Sequence, residues 1–212
     1  MMGGIYSLFK TKLTQVKAKN TFGGEKMKTR RKVLAIFGSF LVISLLVVQT
    51  SFAFSGLAAI GAGIQKQEQT NWCWAAVSQG ILNYYGKSVT QTDFVKKVKG
   101  AAVNNPASDA EVKSGLSSYG ISSTQITWAL SYTNVVAEIA DNKHPIYAGW
   151  SWTSGGGHAL LIKGIDNSHL TDSTDWVYYL DPADGSLNKA SYSWVVNGTG
   201  HVWDGTLYNI HN

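Results

Sequence analysis

The chain has 212 residues, a length for one domain, and its 44% hydrophobic and 15% charged content excludes a disordered or fibrous chain. Its formal charge of +5 comes from its start: nine Lys and Arg precede position 33 against one acid, Glu25, whereas the remainder has nine Lys, no Arg and twelve acids, a net of −3. Beyond residue 32 nothing resembles a polyanion-binding surface, and Arg, the preferred reader of phosphate and guanine, is absent, so no nucleic-acid partner is expected.

Lys28, Arg30, Arg31 and Lys32 stand directly before an apolar run of 16 residues, 33–48. A positive patch, an apolar run and then small residues is the layout of a secretory signal. The run is short of the roughly 20 residues of a spanning helix. Ser51, Ala53 and Ser55 allow cleavage after Ala53 or after Ser55. The expectation is a leader over 1–55, with Met27 as a second candidate start, and one exported domain over 56–212. The alternative is an uncleaved segment that anchors the domain to a membrane. No Cys lies near the cleavage site, which excludes a lipoprotein anchor.

Cys73 is the only cysteine. In an exported chain a lone Cys is an inert buried thiol, an intermolecular link or a reactive group. Its surroundings favour the last. Thr70 and Asn71 are residue types that cap helices, Val77, Ile81 and Tyr84 recur at helical spacing, and Gly86 can stop the helix. Cys73 then falls in the first helical turn, where free N–H groups and partial positive charge favour a thiolate and can hold an oxyanion.

Further on, Thr90 to Asp93 and Ser108 to Glu111 read as helix starts, predicting helices over 91–99 and 109–118. A strand or extended connector is expected over 121–128, a helix over 135–140, and strands over 146–152, 159–165, 176–180, 191–196 and 206–210. Helices first and strands later is an α+β order. Of the five His, His158 follows Gly155, Gly156 and Gly157 and opens a short apolar strand, the best place for a base beside a thiol. His201, after another glycine, reads as an aromatic-packed or surface residue in a turn. His144 reads as a loop residue, His169 and His211 as solvated. Asp181 closes the strand over 176–180, with Asp184 and Asp166 as weaker carboxylates. One Cys and scattered His lack zinc spacing, and no phosphate loop is present, so neither metal nor cofactor is expected.

Gln67, five intervening residues, then Cys73-Trp74-Ala75 at a helix start resembles the active-site segment of papain-like cysteine peptidases, in the compact bacterial branch that includes bacteriocin-leader peptidases and effector proteases. His158-Ala159, four residues and Gly164 is similar to that family's His strand. The resemblance covers roughly residues 65–200. It implies an N-terminal helical part, carrying the Cys helix, packed on an antiparallel sheet carrying His and Asp. It implies Cys73 as nucleophile, His158 as base, Asp181 as the group orienting it, and Gln67 as oxyanion donor, with Gln65 and Gln69 as neighbours for that place. Trp72, Trp74, Gly156 and Gly157 are candidates to line a substrate cleft, although core packing competes for the indoles. A monomer acting on a polypeptide is expected. The stretch between leader and Gln67 is too short for a papain-type pro-segment, so narrow specificity or export is expected to restrain it. Rival readings are an amidase or acyltransferase acting on cell-wall peptides with the same triad, and a non-catalytic toxin-like or binding domain.

Overall fold

The structure, a computed structural model, describes residues 54–170 and 172–212. The basic patch, the apolar run and the cleavage point after Ala53 lie outside the described residues. Strand β1 (Leu57–Ala59) comes first, followed by three helices: α1 (Cys73–Tyr84), α2 (Gln91–Lys99) and α3 (Asp109–Ser117). Strand β2 (Ser122–Ile126), helix α4 (Tyr132–Val136) and a π-helical turn (Ala137–Asn142) lead to β3 (Ile146–Trp152), β4 (Gly157–Asp166), β5 (Trp176–Asp181) and β6 (Ser186–Ser191). Helix α5 (Tyr192–Val196), β7 (Asn197–Gly198) and β8 (His201–His211) close the chain. Among the described residues no helix is long and apolar enough to cross a membrane.

The strands form one antiparallel sheet in the order β2-β8-β3-β4-β5-β6, with β1 continuing along β4 and β7 pairing with β8. The fold is therefore α+β, with helices early and sheet late. Helix α1 is buried from Trp74 to Leu82 and packs on β4. Nine successive buried residues leave mainly its ends near solvent, and Cys73 is at the N-terminal one. The approach is close at Gly80, where a Cβ would fall 2.6 Å from the Gly63 carbonyl oxygen and 3.3 Å from Leu161. Only a residue without a side chain lets the helix settle so near the Gly63–Ile64 segment, with Leu161 of β4 just beyond it.

Two expectations need correction. Of the expected strand 191–196, only Ser191 lies in a strand, as the last residue of β6, and Tyr192–Val196 form a one-turn helix. Ser191 accepts a hydrogen bond from Trp194 N–H at its start, and the Trp150 indole donates to the Val195 carbonyl at 3.0 Å. That tertiary bond takes a carbonyl a strand would have offered its neighbour, against the β-branched composition. The last strand is also longer than 206–210. It reaches back to His201, which is 1% exposed, stacked on Trp150 with centroids 3.7 Å apart, and bonded through Nε2 to the Trp194 carbonyl. His201 is thus packed among aromatics, but on a strand and not in a turn. β1 was not anticipated; three residues carry too little pattern.

Replacing Gly80 by Ala should destabilise the fold. Ala gains about 1 kcal/mol in helix propensity. The clash with the Gly63 carbonyl forces α1 away from the segment that leads into it, an overpacking cost of about 1–3 kcal/mol. Urea unfolding should give a lower midpoint for Gly80→Ala, and an equal or higher midpoint would contradict this account of the close approach at Gly80.

Candidate active site

Cys73 is the first residue of α1 and is partly exposed. The helix start differs from expectation: the capping position is held by Trp72, and no side chain caps it. Thr70 and Asn71 are engaged elsewhere. Asn71 N–H donates to Asn104 Oδ1, Asn71 Nδ2 to the Asn104 carbonyl, and Asn104 Nδ2 to Thr70 Oγ1, each at 2.8 or 2.9 Å. The first-turn N–H groups are consequently left uncapped around the thiol, as an anion site requires.

The indoles of Trp72 and Trp74 also tie this loop down. Trp72 Nε1 donates to the Val103 carbonyl and Trp74 Nε1 to the Asn105 carbonyl. Both residues are buried, at 3% and 2% exposure. Trp72 is therefore a core residue and does not wall a cleft, and Trp74 presents only an edge to the cavity beside Cys73. Burial of a ring with a satisfied N–H is the ordinary resting place of a large apolar side chain. Gly156 and Gly157 do line the cleft, together with Cys73, His158 and Asp181. Gly155 and Gly156 have φ of 91° and 84°, so they also form the tight turn between β3 and β4.

That hairpin sets His158 opposite Trp150 on β4. His158 Nε2 lies 2.7 Å from Asp181 Oδ1, and the same oxygen accepts the Ala183 N–H at 2.8 Å. The pairing of β4 with β5 brings the two side chains together. With Nε2 committed to the carboxylate, Nδ1 is the ring nitrogen left for the thiol. Trp152 lies nearly parallel to the imidazole, 6.0 Å between centroids, and limits its tilt. Of the other histidines, His144 meets Glu138 and His169 meets Asp175, each at 3.0 Å. Asp166 serves Ser168 and Asp184 serves Ser186.

Burial is the largest influence on His158 and disfavours its charge. The hydrogen bonds to Asp181 and Cys73, with the charges of both, outweigh it and push the imidazole from 6.5 up to about 9. Burial likewise raises Asp181. The His158 and Ala183 hydrogen bonds overcome that and hold the carboxyl below its ordinary 3.8. The imidazole stands between the Asp181 carboxylate and the Cys73 sulfur, and both favour its charged form.

Gln67 is partly buried and shares the cleft with Cys73, whereas Gln65 and Gln69 are exposed. Its segment is held from two sides. Gln91, fully buried, accepts from Glu68 N–H and donates to the Lys66 carbonyl, both at 2.9 Å. Gln67 N–H donates to the Pro182 carbonyl at 2.8 Å, joining this segment to the turn after Asp181. The Gln67 amide itself donates to the Gln69 and Thr70 carbonyls at 2.8 and 2.9 Å. Sequence reasoning missed Gln91, Asp109 and Tyr147. The capping pattern around Ser108 located the helix that Asp109 opens, but could not reveal that it faces Cys73.

The sequence signature of the family described as papain-like cysteine protease AvrRpt2 matches residues 57–198, more than half of the chain. Two solved structures share the fold. One is a double glycine motif protease from an AMS/PCAT transporter in complex with the leader peptide: 16% identity, TM-score 0.51, covering 72% of this chain and 93% of that one. The other is the peptidase domain of Streptococcus ComA, a bifunctional ABC transporter involved in quorum sensing: 13% identity, TM-score 0.52, covering 70% and 97%. No curated protein matches the chain significantly.

The raised His158 and lowered Asp181 describe one ion pair. The His158 contribution to stability is complete below its ordinary 6.5 and is lost as pH rises through about 9. The Asp181 contribution is present above 3.8 and is lost as pH falls through its lowered value. In Asp181→Asn the His158 midpoint, followed by NMR of the imidazole C–H protons, should fall well below about 9. A midpoint that stays near the wild-type value would rule out Asp181 as the group that holds the charge.

Proposed function

This chain belongs to the family of papain-like cysteine proteases described by AvrRpt2 and is a cysteine-type peptidase, and on that premise we propose that it hydrolyses peptide bonds with Cys73 as nucleophile, His158 as base and Asp181 as the group orienting His158. The observation that carries this is the 2.7 Å bond from His158 Nε2 to Asp181, with the other ring nitrogen left toward the thiol at the uncapped start of α1.

The steps follow from these positions. His158 takes the thiol proton, and the Cys73 sulfur attacks the substrate carbonyl carbon. The carbonyl oxygen takes the negative charge and accepts from the Cys73 N–H and from Gln67 Nε2, which leaves one of its backbone carbonyl partners to do so. His158 passes its proton to the leaving amine. Water, deprotonated by His158, then attacks the acyl-enzyme carbonyl, and the sulfur departs to regain its proton link with His158. Asp181 remains ionised throughout and fixes the ring.

We further propose that the domain is exported, with the basic patch and apolar run at 28–48 as the signal. Cleavage after Ala53 is the better of the two positions. Asn167 Nδ2 donates to the Phe54 carbonyl at 2.7 Å, and Ser55 Oγ reaches the Asn167 carbonyl at 3.5 Å, so a cut after Ser55 would remove both partners. N-terminal sequencing of protein recovered outside the cells tests this.

Alkylation of Cys73 by iodoacetamide should be fast at pH 5–6 and should shift in His158→Ala to the profile of an ordinary thiol, near 8.5. Slow labelling with the same ordinary profile in both proteins would remove this reading. A peptide pool followed by mass spectrometry should show cleavage that Cys73→Ala abolishes. His158→Ala should lower it by about 10²–10⁴-fold, and Gln67→Ala should lower kcat by about 10²–10³-fold with little change in KM.

A further inference from the structure

Beside Cys73 lies a recess of about 310 Å³ whose lining includes His158, Tyr147, Asp109, Asp204 and Gly205. We infer that Asp109 and Asp204 make this recess a pocket for a cationic side chain, Lys or Arg, of the peptide being cut. The inference rests on Cys73 being the nucleophile and adds the substrate class its neighbourhood selects.

Asp109 is the first residue of α3 but takes no part in the capping box, which Ser108 and Glu111 complete between them. A favourable helix dipole explains an acid at that position. It does not explain where the carboxylate is laid. The group rests over strand β8 at Gly205, where any side chain would collide with Oδ2, and a Cβ at Gly149 on β3 would fall 3.5 Å from Oδ1. Two glycines on neighbouring strands thus leave room for it against the floor of the recess.

Tyr147, which is 3% exposed, lines the same recess beside Asp109. Asp204 stands close enough for its charge to act on Asp109. Among the described residues neither acid has a Lys or His nitrogen within 4.0 Å. Two like charges, one of them half-buried, are unfavourable together without a counter-charge. A Lys or Arg side chain brings that charge and a long apolar stem for the rest of the recess. An acidic side chain would add a third like charge, and an apolar one would desolvate both carboxylates without compensation.

The test uses small thiol reagents, so it requires no known substrate. Cys73 is modified with cationic aminoethyl methanethiosulfonate and with neutral methyl methanethiosulfonate; in both, the sulfur forms a mixed disulfide and methanesulfinate leaves. The ratio of the two rates cancels the intrinsic reactivity of the thiol. It should fall about tenfold in Asp109→Asn and by less in Asp204→Asn. Asp204 is exposed, so its variant keeps the test valid if Asp109→Asn folds poorly. An unchanged ratio in the folded variants overturns the proposal. A neutral-reagent rate that ignores His158→Ala would sink the nucleophile reading instead, while the rate ratio would still decide whether the recess selects a cation. Peptides cut by the wild type without enrichment of Lys or Arg beside the scissile bond would also overturn it.

Discussion

The close seating of helix α1 on strand β4 is the contact on which the site depends. Gly80 lets the helix come close to the Gly63–Ile64 segment and to Leu161 of β4, and the helix is buried along most of its length. Its start is then the part that reaches a cleft, and Cys73 is the first residue there. The facing strand carries His158 at the end nearest that start. One helix–sheet contact therefore brings two groups 85 positions apart in sequence into a common cavity. The core that holds them is continuous with the rest of the molecule, since Trp74, Ile81 and Leu161 all belong to it.

A second set of bonds surrounds the first and concerns position more than bulk stability. The turn after Asp181 and the segment around Gln67 are joined by the Gln67 N–H and the Pro182 carbonyl, and the Gly185 φ of 83° lets that turn lie close against Lys66. Gln91 holds the other side of the segment from the start of α2. Trp72 and Trp74 hold the loop before α3. A small cleft on loops gains its rigidity from such backbone-directed bonds, because each fixes a main-chain position and not only a side chain.

The electrostatics of the cleft are divided. On one side a carboxylate is neutralised by His158 and serves the imidazole. On the other, Asp109 and Asp204 have no cation of their own among the described residues, and burial and the neighbouring charge together raise Asp109 above its ordinary 3.8. Beyond residue 32 the chain has a net negative charge and no Arg. Among the described residues no lysine comes within 4.0 Å of either acid.

The sequence by itself determined the elements whose patterns are local. The capping residues of α2 and α3, the apolar run of β4, and the Cys and His segments of a papain-like enzyme are each legible within a dozen residues, because capping, periodicity and strand burial act over one or two turns. Only the tertiary structure decided what those residues meet. Tyr192 to Val196 read as a strand and became a helix, with Trp150, some 45 positions away, taking the Val195 carbonyl. Trp72 read as either core or cleft wall, and it is buried with its N–H on the Val103 carbonyl. Thr70 and Asn71 read as caps and instead grip Asn104. Asp109 read as the start of a helix, and its place over Gly205 depends on how β8 passes beneath it. Each outcome was set by a partner distant in the chain, and a pattern confined to neighbouring residues contains no record of which partner will arrive.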